Sequence, residues 1–326
     1  MPKEPVPPKA HLAESASKEH IPRVHSPPEY VPRDPGKSFF DEINANKRNS
    51  ILLMGVVCII IFALCLALGY MWGIGLYGLF LGLIIGTVYV AISYYFGSKV
   101  VLALSGANPL KKSDHPYLFH LVEGLALAAQ VPTPKVYIIE DPALNAFATG
   151  RDPEHSAIVV TRGLLKALNR QELEGVIAHE MSHIANYDIR FMMLTIVMVG
   201  LVGFLSEIIL RTFIWGGRSR KGGGSGLIMI LGLVLAVLAP IIAILVRFAI
   251  SRQREYLADA TAVKLIRYPD GLKNALIKIK NNYKPVRRAT QTTAPMYFGD
   301  PIGKKVVGMF STHPPIDERI KKLSSF

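Results

Sequence analysis

NSILLMGVVCIIIFALCLALGYMWGIGLYGLFLGLIIGTVYVAISYYFGS, residues 49–98, contains no Asp, Glu, Lys or Arg. Such a run is too apolar for a water-facing surface and too long for a single membrane crossing, which takes about 20 residues. Gly73, Gly75 and Gly78 lie near its middle and mark a turn, so Ile51 to Phe96 reads as two helices in a tight hairpin. Cys58 and Cys65 both fall in the first helix. Seven residues of helix put their Cα atoms about 10 Å apart, out of disulfide reach, so they read as small packing residues and imply no oxidising compartment.

Two more apolar runs lie further on. Phe191 to Leu210 is interrupted by Glu207, which Arg211 one turn later is placed to pair, and Leu227 to Val246 ends before Arg247. A Gly-rich linker, Gly216 to Gly226, joins them and carries Arg218, Arg220 and Lys221. Four spans are therefore expected. Half of the 326 residues are apolar and the mean hydropathy is +0.31, which agrees with a membrane protein and excludes a wholly soluble one.

The formal charge of +13 has to be read by position. Lys47, Arg48, Lys99, Lys111 and Lys112 flank the first hairpin while its turn carries no basic residue, so both ends of that hairpin are expected on the cytoplasmic side. The basic residues of the second linker run against the same rule, and the first hairpin is expected to override them. Because the basic residues sit at membrane flanks and in the N-terminal tail, not in a patch interleaved with aromatics, no nucleic-acid partner is expected. Residues 1–47 are Pro-rich with charges of both signs and read as a disordered tail, not a cleaved signal peptide. The organisation expected is this tail, a hairpin at 48–98, one part of a catalytic domain at 99–190, a second hairpin at 191–247 and the rest of that domain at 248–326.

The chemistry lies between the hairpins. Arg170 to Asp188 reads as an amphipathic helix with apolar Leu173, Val176, Ile177 and Ile184, and it contains His179-Glu180-Met181-Ser182-His183. In this H-E-x-x-H pattern the two imidazoles share a helix face and can point at one metal ion, with Glu180 in reach of a water beside it. A catalytic zinc site needs a third protein ligand. Just past the fourth apolar run, Ser251 to Asp259 places Glu255 and Asp259 four apart on a helical stretch. Glu255 is the candidate ligand, and Asp259 the acceptor for the N–H of a ligand imidazole. Two crossings separate the pairs, so both lie on one side of the membrane. His11, His20 and His25 fall in the tail, and His115, His120 and His155 are not expected to bind the metal. Val136 to Ile139 and Ala157 to Thr161 read as β-strands with Asn145 to Thr149 pairing beside them, which leaves room for an extended peptide as the next strand.

Taken together, His179 to His183 followed by Asp188, the Ser251-Arg-x-Arg-Glu-Tyr-x-Ala-Asp259 segment, and Thr312-His313-Pro314-Pro315 with Arg319 resemble an HtpX-type membrane zinc metalloprotease, from about Ile51 to the C-terminus. The resemblance implies an α+β protein, mostly helical, with about four transmembrane helices and a zincin-like catalytic domain carrying a small β-sheet. It implies one zinc per chain on His179, His183 and Glu255, and Glu180 as general base. Asp259, Asp188 and Arg319 would stand behind these groups, and His313 would stabilise the oxyanion. Asn145, Ala146, Phe147 and Ala148 would form the edge strand that binds substrate. The long Pro-rich tail departs from the short N-terminus usual in such enzymes and is given no role.

The expected activity is hydrolysis of peptide bonds in unfolded or damaged membrane proteins, in quality control and stress response. The expected location is the bacterial inner membrane, with the site on the cytoplasmic side and the lipid bilayer as the other partner. No residue pattern points to an oligomeric state. Two other readings stay open: a CAAX prenyl protease, which shares H-E-x-x-H and a later Glu but has more spans, and a non-enzymatic membrane scaffold whose charge meets anionic lipid.

Overall fold

Helices α1 (Phe39–Met71) and α2 (Tyr77–Ser105) form the expected hairpin. The structure, a computed structural model, describes residues 39–215, 233, 234, 237, 252–290, 293–303 and 314–325. Helix α1 starts at Phe39, inside the stretch expected to be disordered up to Lys47, because no proline lies between Pro35 and Pro109 and helix-compatible residues lead into the apolar run. Of the three glycines near the turn, two make it: Gly73 and Gly75 have φ of +78° and +53°. Gly78 has another task, lying inside α2, where a Cβ would come within 2.7 Å of the Cys65 carbonyl and the Gly69 Cα. Gly82, one turn on, faces the Cys65 side chain in the same way, so the two helices touch backbone to backbone, as apolar helices without a hydrophobic drive between them must.

Helix α6 (Asp188–Trp215) packs against this hairpin, with Met193 seated on Gly97 and the Tyr89 hydroxyl donating to the Val197 carbonyl at 2.8 Å. Among the described residues three helical stretches are long and apolar enough to cross a membrane: Lys47–Tyr70, Tyr77–Ser105 and Asp188–Thr212. The fourth expected run and the Gly-rich linker lie outside the described residues apart from three positions. On α2 the outward side chains include Phe80, Leu83, Ile84 and Val88, all exposed, a surface that suits hydrocarbon. Within the third span Arg211 reaches Glu207 at 2.5 Å, the expected i,i+4 pair.

Outside the spans, a four-stranded sheet has the order β1 (Asn108–Pro109), β2 (Lys135–Ile139), β4 (Ser156–Thr161), β3 (Ala146–Gly150). The central pair is parallel, with Val136 beside Ile158. Strand β3 runs antiparallel to β4, with Ala148 opposite Ile158, and is the edge strand. Three strands were legible as apolar β-branched runs, whereas β1 has two residues, one of them proline, and no strand pattern. Helices α3 (Pro116–Ala128) and α4 (Arg162–Ala167) complete the first half. After the second membrane segment come α7 (Arg252–Ile266), α8 (Pro269–Asn281) and α9 (Ile316–Leu323).

Helix α5 (Arg170–Ala185) lies at the centre. Its start is set by a reciprocal capping box: the Asn169 side chain accepts from the Glu172 N–H at 2.9 Å, and the Glu172 carboxylate accepts from the Asn169 N–H at 2.8 Å. Its end comes three residues before the expected Asp188, because Tyr187 takes φ +62° and a new helix begins at Asp188. The helix is also not amphipathic in the expected sense: twelve of its residues between Glu172 and Ile184 are buried, since it is covered by α7 and α8 and not by water. Gly175 lets α8 close against it, since a Cβ there would stand 2.5 Å from the Leu272 backbone nitrogen. Gly175→Val should therefore force α8 away from α5 and destabilise the fold by about 1–3 kcal/mol or more. Chemical denaturation of the detergent-solubilised protein, followed by circular dichroism, checks this.

Candidate metal centre

The i,i+4 spacing on α5 brings the Nε2 atoms of His179 and His183 to 3.2 Å from one another. From α7, the Glu255 carboxylate arrives with Oε2 3.7 Å from His179 Nε2 and Oε1 3.6 Å from His183 Nε2. All three side chains are buried. Four ligands at zinc distances of about 2.0–2.1 Å in a tetrahedron lie about 3.3 Å apart, close to these separations.

The hydrogen bonds on the far side of each ring decide what the Nε2 atoms can do. His179 Nδ1 lies 2.9 Å from Asp259 Oδ1, and His183 Nδ1 lies 3.0 Å from Asp188 Oδ2. An ionised carboxylate only accepts, so both Nδ1 atoms carry hydrogen and both rings turn Nε2 toward one another. Two lone pairs 3.2 Å apart beside a carboxylate repel one another unless a proton or a cation lies among them. Burial and the Arg319 charge push His179 down to about 4. Burial would lower His183 as well, but the bond to Asp188 and the charges of Glu255 and Asp188 outweigh it and push that ring up to about 9.

Asp259 is held by Arg319 of α9, whose Nη2 and Nε donate to its two oxygens at 2.6 and 2.9 Å. Despite burial, the Arg319 and His179 contacts keep the Asp259 carboxyl below its ordinary range. Glu180, fully buried on the same helix, is pushed up to about 7, chiefly by burial, while the Ala148 backbone N–H donates to its carboxylate.

The edge strand is more committed than its sequence suggests. Asn145 uses its whole side chain as a clamp: Nδ2 donates to the Gly299 carbonyl at 2.9 Å, and Oδ1 accepts from the N–H groups of Gly299 and Ala146, each at 3.1 Å. The Phe298 N–H donates to the Ala146 carbonyl at 2.8 Å. Phe147 points away from the metal ligands into the core beside the membrane helices, its ring edge-on to Tyr297. Thus the segment Tyr297 to Gly299 already covers the first rung of β3, and the outward backbone from the Ala148 carbonyl onward lies beyond that rung.

Sequence reasoning passed over this segment. Phe298 also sets its ring edge-on to His179, centroids 4.9 Å apart, and under the Arg319 guanidinium at 4.7 Å. Its neighbours show no periodic pattern, so nothing in the sequence marked it. His313 lies outside the described residues. His155, expected to stand alone, faces Asp152 and Glu154 with ligand atoms within 4.8 Å of one another. That group is nevertheless engaged locally, because Asp152 caps the His155 N–H and ring and Arg151 meets the other ring nitrogen at 2.8 Å.

Asn145→Ala removes three hydrogen bonds from buried or partly buried backbone and should cost about 1–3 kcal/mol for each buried group left unsatisfied. The loss is expected without any substrate present. A urea titration of the metal-free protein that matched the parent would show that Asn145 is no clamp.

Comparison with known proteins follows the same lines. The model of "Peptidase family M48" matches residues 112–326. Among curated relatives, the "Protease HtpX homolog" of Dictyoglomus turgidum is 45% identical over 287 residues, covering 88% of this chain and 94% of the relative. That of Listeria monocytogenes serotype 4a is 44% identical over 301 residues, covering 88% and 99%. A solved structure, that of S. mikatae Ste24p, aligns with 87% of this chain and 67% of its own at 21% identity and a TM-score of 0.45. With its apolar spans and these relatives, the chain belongs to peptidase family M48 as an HtpX-type membrane metalloprotease.

Proposed function

We propose that this chain is an endopeptidase that takes unfolded or membrane proteins at the cytoplasmic face of the bacterial inner membrane, with one zinc ion held by His179, His183 and Glu255. The observation that carries the metal assignment is the pair of facing imidazole Nε2 atoms, 3.2 Å apart and closed on a third side by the Glu255 carboxylate. Two imidazoles and one carboxylate also suit zinc by ligand chemistry. Bound zinc supplies Lewis acidity, polarising the scissile carbonyl and making a water acidic enough to ionise near neutral pH.

The remaining work belongs to the chain. Glu180 takes the proton of the attacking water on its carboxylate and delivers it to the nitrogen of the leaving amine. Its raised proton affinity, up to about 7, suits a group that must both take and release a proton near neutrality. Asp259 and Asp188 hold the imidazoles so that Nε2 and not Nδ1 faces the metal. Arg319 neutralises Asp259 and keeps it in place. His313 is the proposed partner of the oxyanion. An extended substrate lies antiparallel to β3 along the backbone from Ala148 onward, and such pairing accepts many sequences, as a quality-control protease needs.

Support for the membrane placement comes from the basic residues Lys47, Arg48, Lys99, Lys111 and Lys112 around the hairpin ends. Purified parent and Glu180→Gln protein should both hold about one zinc per chain, while casein cleavage by the variant falls by about 100-fold or more. Full activity in Glu180→Gln would remove it as the base. Glu255→Ala should lose most of its zinc on dialysis, and unchanged metal content would remove Glu255 from the ligand set.

A further inference from the structure

Each metal-site imidazole is backed by a carboxylate, and each carboxylate is met by an arginine, but the two arms differ. On the first, Asp259 and Arg319 are joined by a two-pronged bond at 2.6 and 2.9 Å. On the second, Asp188 has its Oδ2 on His183 at 3.0 Å, and its Oδ1 faces Arg254 Nε at 3.8 Å. Arg254 precedes the ligand Glu255 on α7, and its side chain is only 14% exposed. Its guanidinium stacks on the Phe191 ring at 4.8 Å, and its Nη1 is buried without a hydrogen-bond partner among the described residues.

Burying a guanidinium is costly unless it is paired, and a residue facing lipid or water would not have to bear that cost. Arg254 bears it where its charge and the stack on Phe191 constrain one oxygen of Asp188 and leave the other to His183. Asp188 and Phe191 both belong to the first turn of α6, the start of the third span, whereas Arg254 and Glu255 belong to α7. We propose that Arg254 is a positioning residue for His183: acting through Asp188, it fixes the ring's orientation and thereby ties the metal site to the seating of the third membrane span. The inference rests on the proposed zinc ligand set. It differs from the Arg319 arm, which lies wholly outside the spans.

The test uses full-length protein in detergent, with Arg254→Gln, Arg254→Lys, Asp188→Asn and the double variant Arg254→Gln/Asp188→Asn. Metal-free protein is titrated with zinc against a competing chelator, and with cobalt, whose visible spectrum reports ligand geometry. Removing a partner of a metal-bound histidine typically weakens binding by about 10- to 100-fold, and Arg254→Gln should fall near the lower end and shift the cobalt bands. Arg254→Lys, which keeps the charge, should recover part of the affinity. The double variant should bind no more weakly than Asp188→Asn alone, because Arg254 acts through that carboxylate.

Parental zinc affinity and cobalt spectrum in Arg254→Gln would overturn the proposal, as would losses that multiply in the double variant. If instead the parent itself holds no stoichiometric zinc, the ligand set fails and not this arm alone. Arg254→Gln protein that melts earlier yet keeps the parental cobalt spectrum would make Arg254 a packing residue and also overturn the proposal.

Discussion

Two imidazole nitrogens facing each other at 3.2 Å in a buried site are the constraint on which the rest of this protein depends. Without a proton or a cation between them they repel, so the fold must hold them together and place opposite charge around them. Helix α5 holds them by spacing alone, since residues four apart share a face. Everything else near the site works on their far sides. Asp259 and Asp188 each take one Nδ1–H, which fixes the tautomer, and Arg319 and Arg254 stand behind those carboxylates. The chain thus buries several charges side by side, which is tolerable only because nearly every one faces an opposite partner.

The residues of this cluster come from both sides of the third span. Glu255 and Asp259 come from α7, beyond the second membrane segment, while the histidines precede it. Asp188 is at once a partner of His183 and the first residue of a span. The membrane helices, in turn, are packed by small residues. Gly69, Gly78 and Gly82 let α1 and α2 approach at backbone distance, and Gly97 receives Met193 of α6. A bilayer offers no hydrophobic drive between helices, so such contacts must come from close fit. The same device appears outside the spans, where Gly175 and Gly271 bring α8 onto the metal helix.

Much of the site was legible from local spacing. His179, Glu180 and His183 form one i,i+4 pattern and Glu255 with Asp259 another, and each pattern states a shared helix face without reference to any other part of the chain. Strands β2, β3 and β4 were legible to within a residue because apolar and β-branched runs are local too. What escaped was long-range. The Asn145 clamp joins residues 154 positions apart, and Phe298 reaches both Ala146 and His179 from a segment with no pattern of its own. The burial of α5 on nearly every side escaped for the same reason: it looks amphipathic until α7 and α8 are laid over it.

Sequence alone therefore determined the membrane character, the hairpin and the types of side chain that meet at the metal centre, because charge-free length and helical period are properties of neighbouring residues. Only the tertiary structure decided which carboxylate faces which imidazole, and that Asn145 binds its own chain. Most of those contacts join distant parts of the chain, as between His179 and Asp259, 80 residues apart, and the packing of one helix on another sets them. No local period carries that information.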